Sequence, residues 1–196
     1  VSFVAGAASA ANSSIATTSN GAVADGVATN TVQVTVRDAS NNILASTAVT
    51  VTLTGTGGAV VGTIAGTTDA SGQISIDLTD TTAENLTVDY TVNAVAGAGD
   101  TAVSFVAGAA SAANSSIATT SNGAVADGVA TNTVQVTVRD ASNNILASTA
   151  VTVTLTGTGG AVVGTIAGTT DASGQISIDL TDTTAENLTV DYTVNA

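Results

Sequence analysis

Residues 1–94 return, letter for letter, as residues 103–196: Val1 matches Val103, Arg37 matches Arg139 and Glu84 matches Glu186. A fixed period of this length marks an array, in which one folded module is repeated along the chain. The identity constrains function as well as fold. Units that meet different partners diverge, whereas units kept the same suit a role that depends on their number, which is length. The repeat implies modules at 1–102 and 103–196. A second frame, 10–108 and 112–196, makes residues 1–8 a spare copy of a last strand.

Each module is large enough to bury one core. With 44% apolar but only 2% aromatic residues, that core must be built from Val, Ile, Leu and Ala. The apolar residues alternate. Val32, Val34 and Val36 alternate with Gln33, Thr35 and Arg37; Val49, Val51 and Leu53 with Thr50, Thr52 and Thr54; Ile74, Ile76 and Leu78 with Ser75 and Asp77; Leu86, Val88, Tyr90 and Val92 with Thr87, Asp89 and Thr91. A period of two in β-branched residues predicts half-buried antiparallel strands. Turn residues fall between the runs, at Asn20-Gly21, Asp25-Gly26, Asp38 to Asn42, Gly55 to Gly58 and Asp69 to Gly72. No useful 3.6-residue period is present. The pattern predicts an all-β chain of two tandem immunoglobulin-like sandwiches of roughly seven strands each, arranged end to end.

Charge and missing residues exclude several functions. Fifteen acids against two Arg give a net charge of −13. No basic patch can be assembled, which excludes nucleic acid as a partner and disfavours an anionic membrane surface. No apolar run is long enough to predict a membrane span, and no signal peptide precedes Val1, as expected of an internal fragment. His, Cys and Lys are absent, removing the usual bases and nucleophiles, so no enzyme is expected. Gly55-Thr-Gly-Gly58 reads as a loop and not a phosphate cradle, since no Lys follows it. Multivalent cations are the natural counter-charge.

Several stretches resemble the bacterial Ig-like repeats of the invasin and intimin type. They are Thr31-Val-Gln-Val-Thr-Val-Arg-Asp-Ala-Ser-Asn-Asn, Val49-Thr-Val-Thr-Leu, Thr68-Asp-Ala-Ser-Gly-Gln and Val88-Asp-Tyr-Thr-Val-Asn-Ala. The resemblance spans the whole unit, and its most specific pieces are the Val-Arg-Asp-Ala-Ser-Asn-Asn turn and the Thr-Asp-Ala-Ser-Gly-Gln hairpin. Family members often carry Pro near the third strand, and this chain has none. Identical copies, acidity and absence of Cys are similar to the extender repeats of giant calcium-dependent (RTX-type) adhesins. That resemblance implies a bacterial cell-surface, extracellular spacer that holds a ligand-binding tip away from the cell. A binding module acting through avidity is the alternative.

In a sandwich of this kind, Asp25, Asp80 and Glu84 lie in loops at the end where the chain leaves, and Asp38, Asp69 and Asp100 at the end where it enters. Stacked units would bring the first set towards Asp140 and Asp171. Two carboxylates about 4 Å apart repel by roughly 4 kcal/mol at an effective dielectric of 20. Calcium, a hard ion that takes oxygen ligands, would offset this. The candidate ligands are Asp25, Asp80, Glu84 and Asp100, with Asp127, Asp140, Asp171, Asp182 and Glu186 in the second unit. Asp38 and Asp69 have the alternative of closing their own turns.

The resemblance also places a last strand at 102–106, burying Val103 and Phe105. Val1–Val4 repeats that strand. Either it opens its own unit as a first strand, or it is added to another molecule's second unit, giving head-to-tail association.

Overall fold

The computed structural model describes residues 1–61, 66–157, 159–163 and 168–195. It divides into two compact units, Val1–Val106 and Ala107–Ala196. Among the described residues, all regular structure is β.

Unit one holds β1 (Ser14–Ser19), β2 (Asn30–Thr35), β3 (Val49–Thr54), β4 (Val60–Val61), β5 (Gln73–Thr79), β6 (Asn85–Val92), β7 (Val95–Ala96) and β8 (Thr101–Ser104). One sheet runs β1-β2-β5-β4; in the other, β6 is flanked by β3 on one side and by β7 and β8 on the other. The pairings are antiparallel. The register Val32↔Ile76 and Val34↔Ile74 puts every inward apolar residue of β2 opposite one of β5. These residues face Val49, Val51, Leu86, Val88, Tyr90 and Val92 of the second sheet across one core. The expected alternation is realised: the burial of β6 changes with every residue, because a pleated strand sends successive side chains to opposite faces.

Two positions show why the loops close as they do. A Cβ at Gly55 would stand 2.2 Å from Leu86 Cδ2, and one at Gly58 (φ +112°) would stand 2.8 Å from Asp80 Oδ1. Only glycine lets the loop after β3 lie this close to the Asp80–Leu86 segment.

Unit two repeats the plan with β9 (Ser116–Ser121), β10 (Asn132–Thr137), β11 (Ala150–Thr156), β12 (Val162–Val163), β13 (Gln175–Thr181) and β14 (Thr189–Asn195). One sheet is β12-β13-β10-β9 and the other is β11-β14. The described residues of unit two contain no counterpart of β8, and β14 begins at Thr189, whereas β6 begins at Asn85, the match of Asn187.

Candidate functional site

The loop acids sort into three local environments. The first is the turn carboxylate. Asp38 is 3% exposed. Its Oδ1 accepts from the N–H groups of Ser40 and Asn42, and its Oδ2 from Asn42 Nδ2 and the Gly6 N–H, all at 2.8–2.9 Å. These bonds, the Asn42 amide foremost, hold its pKa down at about 2. Asp140 has the same partners in Ser142, Asn144 and Gly108. Burial pushes its pKa up, but the Asn144 side chain and the Gly108 N–H outweigh that and leave it lowered. Asp69 accepts from Ser71 and Gln73, and Asp171 from Ser173 and Gln175. Asp25 accepts from Val27 and Ala28, and Asp127 from Val129 and Ala130. The Ala28 bond, then that from Val27, lowers the pKa of Asp25. Each of these six carboxylates closes its own turn.

The second environment is a carboxyl pair. Asp80 is fully buried and accepts from the Thr82 N–H at 2.8 Å through Oδ1. Glu84 Oε2 accepts from the Thr56 hydroxyl at 2.6 Å and from the Thr56 N–H. Asp80 Oδ2 and Glu84 Oε1 are buried without meeting a donor. Burial, with the Glu84 charge adding to it, raises the Asp80 pKa. Burial acts on Glu84 in the same direction, but the Thr56 hydroxyl and N–H outweigh it, and its carboxyl sits low. Unit two repeats part of this: Asp182 Oδ1 accepts from the Thr184 N–H at 2.7 Å, and its Oδ2 is buried without a partner. Asp100 is exposed, the third environment.

Of the sequence-derived candidates, the structure therefore brings Asp80 and Glu84 together. Asp25 lies next to them along the chain fold, since the Gly26 N–H donates to the Asp80 carbonyl, but its carboxylate is committed to Val27 and Ala28. Among the described residues, no group of three or more His, Cys, Asp or Glu is arranged to hold a metal ion.

Sequence reasoning missed the clamp around the closing strand of unit one. The segment Ser104–Val106 lies in a groove between β6 and residues 20–24. Asn20 Oδ1 accepts from the Ser104 N–H at 2.7 Å, and Asn30 Nδ2 donates to the Ser104 carbonyl at 2.9 Å. Glu84 O accepts from Phe105 N, Ala22 O from Val106 N, and Val106 O from Ala24 N. Val103 and Phe105 are buried beneath. One signal could have exposed the clamp. The inward register of Val32, Val34 and Val36 extends back to Asn30, which sets an amide in the core where only a backbone partner can satisfy it.

A model of the bacterial Ig-like domain (group 1) matches residues 12–106 and 114–196. The chain belongs to that family. Among solved structures, these bacterial Ig-like repeats are similar to the Escherichia coli adhesin FdeC, with 23% identity and a TM-score of 0.62 over 98% of this chain and 62% of that one. They are similar too to Yersinia pseudotuberculosis InvD, with 20% identity and a TM-score of 0.69 over 93% and 52%. The adhesin InvE of the same organism gives 19% identity and a TM-score of 0.51 over 95% and 56%. The chain thus spans between half and two thirds of the length of these structures, and at these identities the likeness is one of fold. No curated protein matches the sequence.

Proposed function

We propose that this chain is a spacer segment of a bacterial surface adhesin, two units of a longer extracellular array that sets the reach of a binding tip. The observation that carries this reading is the complete identity of the two units over 94 aligned positions, joined to a surface poor in recognition residues. Interface hot spots favour Trp, Tyr and Arg. The chain has no Trp. Tyr90 is buried, and Arg37 and Arg139 are tied to the carbonyls of Asn41 and Asn143 in their own turns. Membership of the bacterial Ig-like family and likeness to solved adhesins support an adhesion-related, surface-exposed setting. The deciding experiment varies the repeats within the full-length protein. A spacer tolerates replacement of both units by foreign Ig-like units of equal length and loses adhesion when units are deleted. Loss of adhesion on the equal-length swap overturns the reading.

Calcium stiffening belongs to the same proposal. It is supported by the net charge of −13 and by the buried, donor-less oxygens of Asp80 and Glu84. Asp80 and Glu84 would hold one ion within unit one, and their matches Asp182 and Glu186 another within unit two. A cation would neutralise the pair, drawing its other oxygens from backbone, hydroxyls and water. A tenfold excess over Kd then adds about 1.4 kcal/mol per site. Melting temperature is expected to rise in millimolar calcium and fall in chelator. Identical melts in both remove the ion and leave the spacer. An extended pair of units is expected in small-angle scattering; a compact particle contradicts it.

A further inference from the structure

The closing segment of unit one is paired on both sides, and the two pairings differ in direction. Against β6 it runs antiparallel, with Leu86 opposite Val103 and Thr87 opposite Ala102. Against residues 17–24 it runs parallel. Val23 and Val106 form a parallel bridge, and the hydrogen bonds climb both segments together. Thr17 Oγ1 donates to the Ala102 carbonyl at 2.8 Å, and Asn20 Oδ1 accepts from the Ser104 N–H at 2.7 Å. The Gly21 N–H donates to Ser104 O at 3.1 Å, the Val106 N–H to Ala22 O at 3.0 Å and the Ala24 N–H to Val106 O at 2.8 Å. The two segments also reach the ends of unit one at opposite places. The chain enters β1 beside the last residues of β2, since Ser14 stands opposite Thr35 and the Arg37 N–H donates to Ser13 Oγ. It leaves at Val106 beside Ala24, at the end where β2 begins with Asn30 opposite Leu78.

We propose that the parallel pairing of residues 17–24 with 101–106 is a shear clamp, which gives the unit a second function, that of bearing tension. The proposal rests on the spacer reading, because tension runs through a unit from end to end only when the chain lies between an anchor and a tip. A pull on the two ends draws residues 14–24 one way and 101–106 the other, each along its own axis. The bonds between them lie across that direction, so the load falls on all of them together and they must fail together. Had both segments left the unit at the same end, the bonds would open one after another. Side chains extend the ladder at both flanks. Thr17 and Asn20 bond ahead of the first main-chain link at Gly21, and Asn30 Nδ2 holds the Ser104 carbonyl at 2.9 Å from the core side. Sliding the strand would also drag the buried side chains of Val103 and Phe105 out of the core, which adds an apolar cost to the polar one. Val103–Val106 are, moreover, the first four letters of the second copy. The strand that closes one unit is thus the start of the next sequence repeat, and load passes to that repeat through the clamp itself.

The test is single-molecule force spectroscopy on the 196-residue chain. The chain has no Cys, so introduced cysteines fix where the force is applied. Ala11, Val27 and Ala109 are exposed and suit that purpose. Ala11→Cys with Ala109→Cys pulls along the clamp, whereas Val27→Cys with Ala109→Cys peels its two segments apart from their common end. Unit one is expected to withstand roughly twofold higher force or more in the first direction, since several bonds share the load instead of meeting it in turn. Its lifetime at fixed force reports the unfolding barrier. Thr17→Val combined with Asn20→Ala removes the side-chain bonds of the clamp and is expected to shorten that lifetime about tenfold under the first pull, the worth of one to two hydrogen bonds. Under the second pull the change is expected to stay within about twofold, because peeling begins at Val106. Equal forces in the two directions overturn the clamp, and so does a folded double variant whose lifetime under the first pull is unchanged. If that variant fails to fold, the comparison of directions, which needs neither substitution, decides. The equal-length swap tests the spacer separately, so either reading can fail while the other stands.

Discussion

Phe105 and Phe3 occupy the same place in the same sequence repeat, yet one is 2% and the other 93% exposed. The pair therefore separates burial from sequence context. Phe105→Ala removes a ring packed in the core that also contains Leu86, Val88 and Val103. Such a truncation costs about 3–5 kcal/mol, combining lost transfer energy with a residual cavity. For a unit of this size each kcal/mol moves the melting temperature by about 4–8 °C, so unit one is expected to melt roughly 12–40 °C lower. Phe3→Ala touches no core and is expected to stay within about 0.5 kcal/mol of the parent. Calorimetry on the chain reads both. Unit two, with Leu188 and Val190 half-buried, supplies the lower transition and unit one the upper. Phe105→Ala should bring the upper transition down and leave the lower in place. Equal melts for the two variants, or an unmoved upper transition, would refute the assignment of Ser104–Val106 as the segment that completes unit one.

Other consequences concern the acids and the loop over them. The Asp38 pKa is lowered from 3.8 to about 2, so its stabilising contribution is complete above the unfolded value and disappears as pH falls through the folded one. Melting temperature should therefore drop between about pH 4 and pH 2, and less steeply in Asp38→Asn, as thermal melts across that range will show. Asp80 has the opposite sign: a raised pKa means its charged form opposes folding once pH exceeds the unfolded value. In calcium-free buffer Asp80→Asn is expected to raise the neutral-pH melting temperature and to have little effect near pH 3, and a lowered neutral melt would contradict the buried-pair geometry. Gly55→Ala places a methyl 2.2 Å from Leu86 Cδ2 and is expected to destabilise unit one by about 1–3 kcal/mol, measured by urea titration.

Much of the fold was legible because period-two patterning and turn chemistry are local. The run Val32, Val34, Val36 needs only the pleat to say which side chains go inward, and Asp69 with Gly72 needs only its own backbone to close a turn. The carboxyl sites were less legible. Asp25 and Asp80 fall in neighbouring loops, as topology predicts, but whether a carboxylate is free to face its neighbour depends on nearby N–H groups. Asp25 is taken by Val27 and Ala28, whereas Asp80 and Glu84 each keep one oxygen that no donor reaches. Spacing along the chain does not reveal that difference.

By itself the sequence determined the module, its strands, its acidity and the family to which it belongs, since all of these follow from local pattern and exact repetition. Tertiary structure alone decided which segment closes the sandwich. Residues 103–106 are a buried closing strand because β6 and residues 20–24 stand on either side of them. The reason is physical. A strand's hydrogen bonds and apolar contacts are made with neighbours distant in sequence, so a segment's state is fixed by whether a groove stands beside it and not by the letters it carries.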